Sequence, residues 1–175
     1  MKLFARCIIA IASTFVCSFS VFAHANDAAK TDLGGVYCNR YVGSDGSSGF
    51  SLYRSSDGAD IGNAIWYSLE ECQAAASLSN QVREGIACAR YHNSTTRETN
   101  YSLYRIWDGK DLGPIAITSF DDCQFAVSQT RSGIFCSPYK NNQTGFTGWS
   151  MFDLGSGRDI GTNIYNSLSE CVKNY

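Results

Sequence analysis

The chain has 175 residues, with 14 Lys and Arg against 16 Asp and Glu, and its formal net charge is −2. A mildly acidic chain lacks the clustered cations that neutralise phosphates, which argues against nucleic acid as a partner. The same charge is compatible with a basic protein partner.

The first 25 residues have the pattern of a secretory signal peptide. Lys2 and Arg6 give a positive start, residues 7–22 form an apolar run, and residues 23–25 (AHA) offer a cleavage site. The run is broken by Ser and Thr and is short of the roughly 20 residues that span a bilayer, so we expect no membrane span after cleavage. The mature chain then begins at Asn26 with 12 basic and 16 acidic residues, a net charge of −4. The expected location is the periplasm or the exterior of a Gram-negative bacterium.

The rest of the chain repeats itself. Residues 51–72, 102–123 and 150–171 align without a gap, and each stretch ends on a cysteine. Self-similarity at a period of about 20 to 50 residues marks one structural unit used several times. The predicted organisation is a leader at residues 26–33 followed by repeats at residues 34–80, 84–131 and 132–175.

Each repeat opens with a glycine, a β-branched residue and a cysteine, which predicts a turn that enters a short strand. A polar loop follows, at residues 42–49, 92–100 and 140–148, and its sequence differs between the copies. A second strand is predicted at residues 50–54, 101–107 and 149–154, so that the two strands form an antiparallel hairpin. Pro138 in the third copy indicates an edge strand or a strand that ends there. After a turn that contains Gly and Asp, a short apolar piece is a candidate third strand.

Helix starts are the sharpest local signal. Each of three serines is followed three residues later by an acidic residue, which is the arrangement of a capping box: Ser68 with Glu71, Ser119 with Asp122, and Ser167 with Glu170. Helices are predicted over residues 69–78, 120–130 and 168–173. The predicted fold class is therefore α+β, with three tandem, disulfide-stapled ββ(β)α repeats in which an antiparallel hairpin packs on a short helix.

Six cysteines remain after signal cleavage, and an even number in an exported chain predicts disulfide bonds. The first and second cysteines of each repeat are 34, 35 and 35 residues apart, whereas the gaps between repeats are 16 and 13 residues. Constant spacing within a repeat predicts the pairs Cys38–Cys72, Cys88–Cys123 and Cys136–Cys171. Zinc is the rival use of cysteine pairs, but the short ligand spacings of a zinc site are missing. No metal or cofactor is predicted.

Candidate catalytic groups are few. His92 is the only histidine after the signal, and it lies in a variable loop. Glycoside hydrolysis requires a pair of carboxylates. The candidate pairs are Asp57 with Asp60 and Asp108 with Asp111. The third copy has Ser156 in place of the first carboxylate, so hydrogen bonding within a turn is the favoured interpretation. No catalytic residue is predicted.

Residues that break the repeat are the better functional candidates, because singular side chains on a rigid scaffold are typical of binding surfaces. These candidate binding residues are Trp107, Trp149, Phe146, Arg97 and Trp66. The leading hypothesis is an exported, non-enzymatic binding module, such as an inhibitor or immunity-type protein that acts on another protein in the bacterial envelope. One alternative is a protein that binds glycan or peptidoglycan, and the other is a small carboxylate-based hydrolase.

Overall fold

A computed structural model describes residues 35–175, and the export signal and leader predicted for residues 1–33 lie outside this range. The described part is α+β, with short antiparallel sheets and short helices. Its elements in chain order are β1 Val36–Val42, β2 Ser48–Arg54, β3 Asp60–Trp66, α1 Leu69–Val82, β4 Ile86–His92, β5 Thr99–Arg105, α2 Phe120–Gln129, β6 Ile134–Lys140, β7 Thr147–Asp153 and α3 Leu168–Val172.

The fold is built on three antiparallel hairpins, and corresponding residues are paired in the same register in each of them. The first cysteine of each hairpin faces an apolar residue, in the pairs Cys38 with Leu52, Cys88 with Leu103, and Cys136 with Met151. The strand β6 runs through Pro138, which has an edge position in a two-stranded sheet.

The second strand of the middle hairpin ends at Arg105, two residues before the predicted end. The turn closes there, because the amide of Gly109 donates to the carbonyl of Arg105 at 2.9 Å. Trp107 therefore lies in a turn and not in a strand.

A complete third strand forms only in the first segment, where β3 pairs with β2. In the second segment the corresponding stretch makes two isolated bridges, Tyr101 with Ile117 and Tyr104 with Asp111. The residue aligned with Asn63 is here Pro114, which has no N–H to donate to a ladder. Proline does not by itself explain the lost pairing, because the third segment has Thr162 at this position and likewise makes two isolated bridges, Trp149 with Tyr165 and Phe152 with Asp159.

The three predicted helix starts are confirmed. The hydroxyl of each capping serine accepts from the amide three residues on, at 3.2 Å in all three helices. In the third helix the Glu170 carboxylate accepts from the amide of Asn166 at 3.1 Å, one residue before the cap, and not from the amide of the capping serine itself. The helix α1 extends to Val82, four residues past its predicted end, and stops at Arg83 in a left-handed conformation.

The three predicted disulfide bonds are confirmed. Each bridge joins the first strand of a hairpin to the first turn of the following helix, and so fixes the helix against the sheet. Cys38 is half-buried, whereas the other five cysteines are buried. Three disulfide bonds fit an extracellular or periplasmic compartment.

Two arginines connect successive segments. The guanidinium of Arg54 donates to the carbonyl of Ile106 at 3.0 Å, and the guanidinium of Arg105 donates to the carbonyl of Leu154 at 3.1 Å. The third segment has Asp153 at the corresponding position. Each of the first two turns therefore holds the turn of the segment that follows it.

Gly62 lies where β3 packs tightly against β4. Its φ is +110°, and a Cβ built on it would lie 3.0 Å from the carbonyl oxygen of Arg90 and 3.2 Å from the Cβ of Ala89. We expect Gly62→Ala to lower the free energy of unfolding by about 2 to 3 kcal/mol, because it adds both backbone strain and overpacking. Urea unfolding measures this loss. Gly46→Ala is the matched control, since its φ is +82° with nothing within 4 Å, and an equal loss in both variants would contradict the packing argument.

Candidate functional site

The turn after each hairpin contains the carboxylates that raised the hydrolase hypothesis. The first carboxylate of each pair is bound by an arginine three residues earlier: Asp57 accepts from Arg54 at 2.5 and 2.7 Å, and Asp108 accepts from Arg105 at 2.5 and 2.9 Å. The Arg54 hydrogen bonds lower the pKa of Asp57 to about 2. Those of Arg105 hold the pKa of Asp108 below its ordinary value. Both carboxylates are thus ionised and engaged.

The second carboxylate of each pair is bound by a buried serine. Ser102 donates to Asp111 at 2.5 Å and Ser150 donates to Asp159 at 2.7 Å, and Ser51 makes the same bond to Asp60. Burial raises the pKa values of Asp60 and Asp111. Because this hydrogen bond recurs at the same position in all three segments, a structural role is favoured for the three aspartates.

The raised pKa of Asp111 predicts a specific pH dependence. The unfolded chain loses this proton near the ordinary Asp pKa of about 4, while the folded chain keeps it to higher pH. In that window the folded state binds more protons, so stability falls as pH rises. We expect Asp111→Asn to gain stability relative to the native chain as pH rises above about 4, as urea unfolding at several pH values would show.

Asp108→Asn is the control, because its stability relative to the native chain should change with pH in the opposite direction. Because the folded-state pKa of Asp108 is lowered, its contribution is present above the ordinary Asp pKa and is lost as pH falls. We expect this variant to lose stability relative to the native chain as pH rises toward about 4. Parallel pH profiles for the two variants would contradict the assignment.

A cleft of about 350 Å³ opens beside the tip of the first hairpin. The second hairpin contributes His92 and Thr99 to its wall, and the first segment contributes Tyr41 and Tyr67. Asn63 holds this wall in place, because its amide oxygen accepts from the amide of His92 at 2.6 Å and its amide nitrogen donates to the His92 carbonyl at 3.1 Å. We call this the first cleft; its remaining lining residues are Ser47, Ser51, Asp60, Ala64 and Ile65.

A second cleft, of about 390 Å³, lies at the corresponding place in the middle segment. Tyr91 takes the position of Tyr41, and Ser102 takes the position of Ser51. The rest of its lining comes from the hairpin tip and from the stretch that precedes α2: Asn93, Glu98, Asn100, Gly113, Pro114, Ile115, Ala116 and Thr118. The first two segments thus present clefts that are built from corresponding parts of the chain and lined by partly different residues.

The opposite end of the hairpins forms another surface, where the turns of successive segments lie side by side. Trp107 is 38% exposed, and the Arg105 guanidinium lies 5.0 Å from its ring centre. Tyr37 stacks on Tyr53 with ring centres 5.7 Å apart and is 42% exposed. We call Tyr37, Tyr53, Trp107 and the ion pairs Arg54–Asp57 and Arg105–Asp108 the turn-end surface.

The candidate binding residues are not brought together. Trp107 lies on the turn-end surface, whereas Arg97 and Phe146 are exposed on the tips of the second and third hairpins. A strand of seven residues separates the two ends by roughly 20 Å. Trp149 is half-buried in β7. Trp66 is 1% exposed and belongs to the core, where it contacts the rings of Tyr101 and Phe120 at 5.7 and 5.4 Å.

Sequence reasoning missed Tyr67 and Tyr37. Tyr67 is 78% exposed, and its aligned residues are Thr118 and Asn166, so it satisfies the same rule of a singular aromatic residue that selected Trp107. The same rule does not select Tyr37, because the third segment also has an aromatic residue at this position, Phe135, which is buried. Only the structure shows which member of such a set reaches the surface.

Among residues 35–175, no group of three or more His, Cys, Asp or Glu side chains could hold a metal ion. Within the same range, no helix has the length and apolar character needed to cross a membrane. No family model, curated protein sequence or solved structure matches this chain.

Proposed function

We propose that this protein is an exported, non-enzymatic binding module that acts on another protein of the bacterial envelope, as an inhibitor or immunity-type protein does. Its three segments are copies of one disulfide-stapled module, and the signal at residues 1–25 directs export. The observation that carries the proposal is the turn-end surface, where two exposed aromatic side chains are fixed by neighbouring groups.

The fixation of Trp107 favours a binding role. Its ring lies on a guanidinium that is itself bound to Asp108 and to the carbonyl of Leu154. An aromatic side chain that is already ordered loses little conformational entropy when a partner covers it. Trp, Tyr and Arg are also the residue types that dominate the energetics of protein interfaces.

The open side of the first hairpin supports the same conclusion. Tyr37 and Asn39 are exposed, whereas Ala87 and Ala89 at the corresponding positions of β4 are buried, as are Phe135 and Ser137 of β6. Gly62 of the first segment packs against Ala89. Among residues 35–175, nothing covers the corresponding face of the first hairpin, whereas the second hairpin presents this face to its predecessor. The mature net charge of −4 favours a basic protein there.

The commitment of the carboxylates supports a non-enzymatic role. Asp57 and Asp108 are bound by arginines, and Asp60 and Asp111 are bound by serines. These hydrogen bonds favour a structural role for the four carboxylates over catalysis.

The proposal is tested by affinity capture from envelope extracts, followed by titration of the purified partner. We expect Trp107→Ala to weaken binding of the partner by at least about tenfold, equivalent to 1.4 kcal/mol. Phe146→Ala is the matched control at the opposite end of the hairpins, where the ring is 47% exposed. Capture of no protein, or equal affinity for both variants, would overturn the proposal.

A further inference from the structure

The two clefts at the hairpin tips have a lining suited to a ligand rich in hydroxyl groups. The first cleft is lined by the hydroxyl of Tyr41 and by those of Ser47 and Thr99, which are also bonded to Asp45 and His92. The second is lined by the amide of Asn100 and by that of Asn93, whose oxygen also accepts from the amides of Thr95 and Thr96. Groups of these types both donate and accept hydrogen bonds, as sugar hydroxyls do. Volumes of about 350 and 390 Å³ are in the range of small-ligand sites.

Tyr67 gives the first cleft an aromatic platform. The Arg90 guanidinium lies 5.9 Å from the centre of its ring. The same guanidinium is 5.2 Å from the ring of Tyr101 and donates to the Tyr101 hydroxyl at 3.2 Å. Arg90 thus supports Tyr67 from within the protein, and the exposed ring is available to the apolar C–H face of a sugar.

Carboxylates restrict the charge of such a ligand. Asp60 lies in the first cleft and Glu98 in the second. Each would repel an anionic sugar, because like charges in a partly enclosed site are unfavourable. The clefts are therefore suited to neutral sugars or to amino sugars.

The correspondence between the clefts points to a repeating ligand. Both are built from the tip of a hairpin and the stretch that leads into the following helix, in successive segments of the chain. Two linked sites on one protein bind a polymer more tightly than either site alone, because the second contact is intramolecular.

We propose that the two clefts bind sugar residues of one neutral or amino-sugar polysaccharide chain, with Tyr67 stacked on a sugar ring in the first cleft and Asn100 bonded to the chain in the second. This activity is separate from protein docking at the turn-end surface, since the clefts lie at the other end of the hairpins.

Co-sedimentation of the mature chain with insoluble polysaccharides tests the proposal, with chitin, cellulose and peptidoglycan sacculi as the probes. We expect at least one of them to retain the protein in high salt, since stacking and neutral hydrogen bonds are little screened. Tyr67→Ala and Asn100→Ala should each lower the bound fraction at least threefold, and the double variant should lower it more than tenfold.

Phe125→Ala is the matched control, because this aromatic residue is 40% exposed on α2 and lines neither cleft. Thermal unfolding confirms that each variant is folded, and NMR titration of the native chain with chito-oligosaccharide locates contacts without any substitution. Retention by none of the three probes, binding unaffected by Tyr67→Ala, or shifts confined to other regions would each overturn the proposal. Trp107→Ala should bind polysaccharide normally, so failure here and failure of protein docking are distinguishable.

Discussion

Replacing the central disulfide bond, Cys88→Ala with Cys123→Ala, is expected to lower the free energy of unfolding by about 4 to 5 kcal/mol. The bridge closes a loop of 35 residues, for which the chain-entropy model gives about 4 kcal/mol. Both sulfurs are buried, at the place where the middle segment contacts both of its neighbours. Urea unfolding under oxidising conditions measures the loss.

The matched control is Cys38→Ala with Cys72→Ala, whose bridge closes a loop of nearly equal length, 34 residues. The entropic contributions of the two bridges are therefore almost the same. Cys38 is only half-buried and belongs to the end segment, so we expect a smaller loss of about 3 kcal/mol. If the end bridge proves the more costly to remove, the central segment does not hold its neighbours together as we describe.

Trp66→Ala is expected to lower the free energy of unfolding by about 3 to 5 kcal/mol, the usual cost of removing a buried aromatic side chain. Trp66 packs on Tyr101 and Phe120, which belong to the following segment. The cavity would therefore open between two segments and not inside one. Urea unfolding monitored by circular dichroism measures the effect.

Two further variants make this prediction specific. Tyr67→Ala changes the neighbouring residue, which is exposed, and should stay within about 0.5 kcal/mol of the native chain. Trp66→Phe should cost less than Trp66→Ala, because it leaves a smaller cavity and because the indole nitrogen has no hydrogen-bond partner among the described residues, so its loss leaves none unpaired. An equal loss in the two variants would contradict this account of the packing.

The local features that the sequence predicts correctly depend on short-range rules. Ser68 caps a helix because its hydroxyl reaches an amide three residues away, and this geometry requires no knowledge of the rest of the fold. The cysteine pairs follow from constant spacing. The end of β5 at Arg105 was placed two residues too late, since apolar Ile106 and Trp107 continue the strand pattern while a turn already closes around them.

The sequence does not predict which side chains are buried where two segments pack together. Trp66 and Trp107 are both singular tryptophans, yet one is in the core and the other is on the surface. The difference arises from the packing of β3 against the second hairpin, which only the tertiary structure fixes. The two clefts were missed for the same reason, because His92 and Tyr67 come together only when successive hairpins are side by side.

Both arginine contacts run from one segment to the segment that follows it. Arg54 binds the segment after it and Arg105 does the same, but Asp153 presents a carboxylate that a main-chain carbonyl would repel. Duplication of the last segment would therefore place an unfavourable contact at the new junction. Loss of the middle segment would bring Arg54 to the Leu154 carbonyl and preserve the bond.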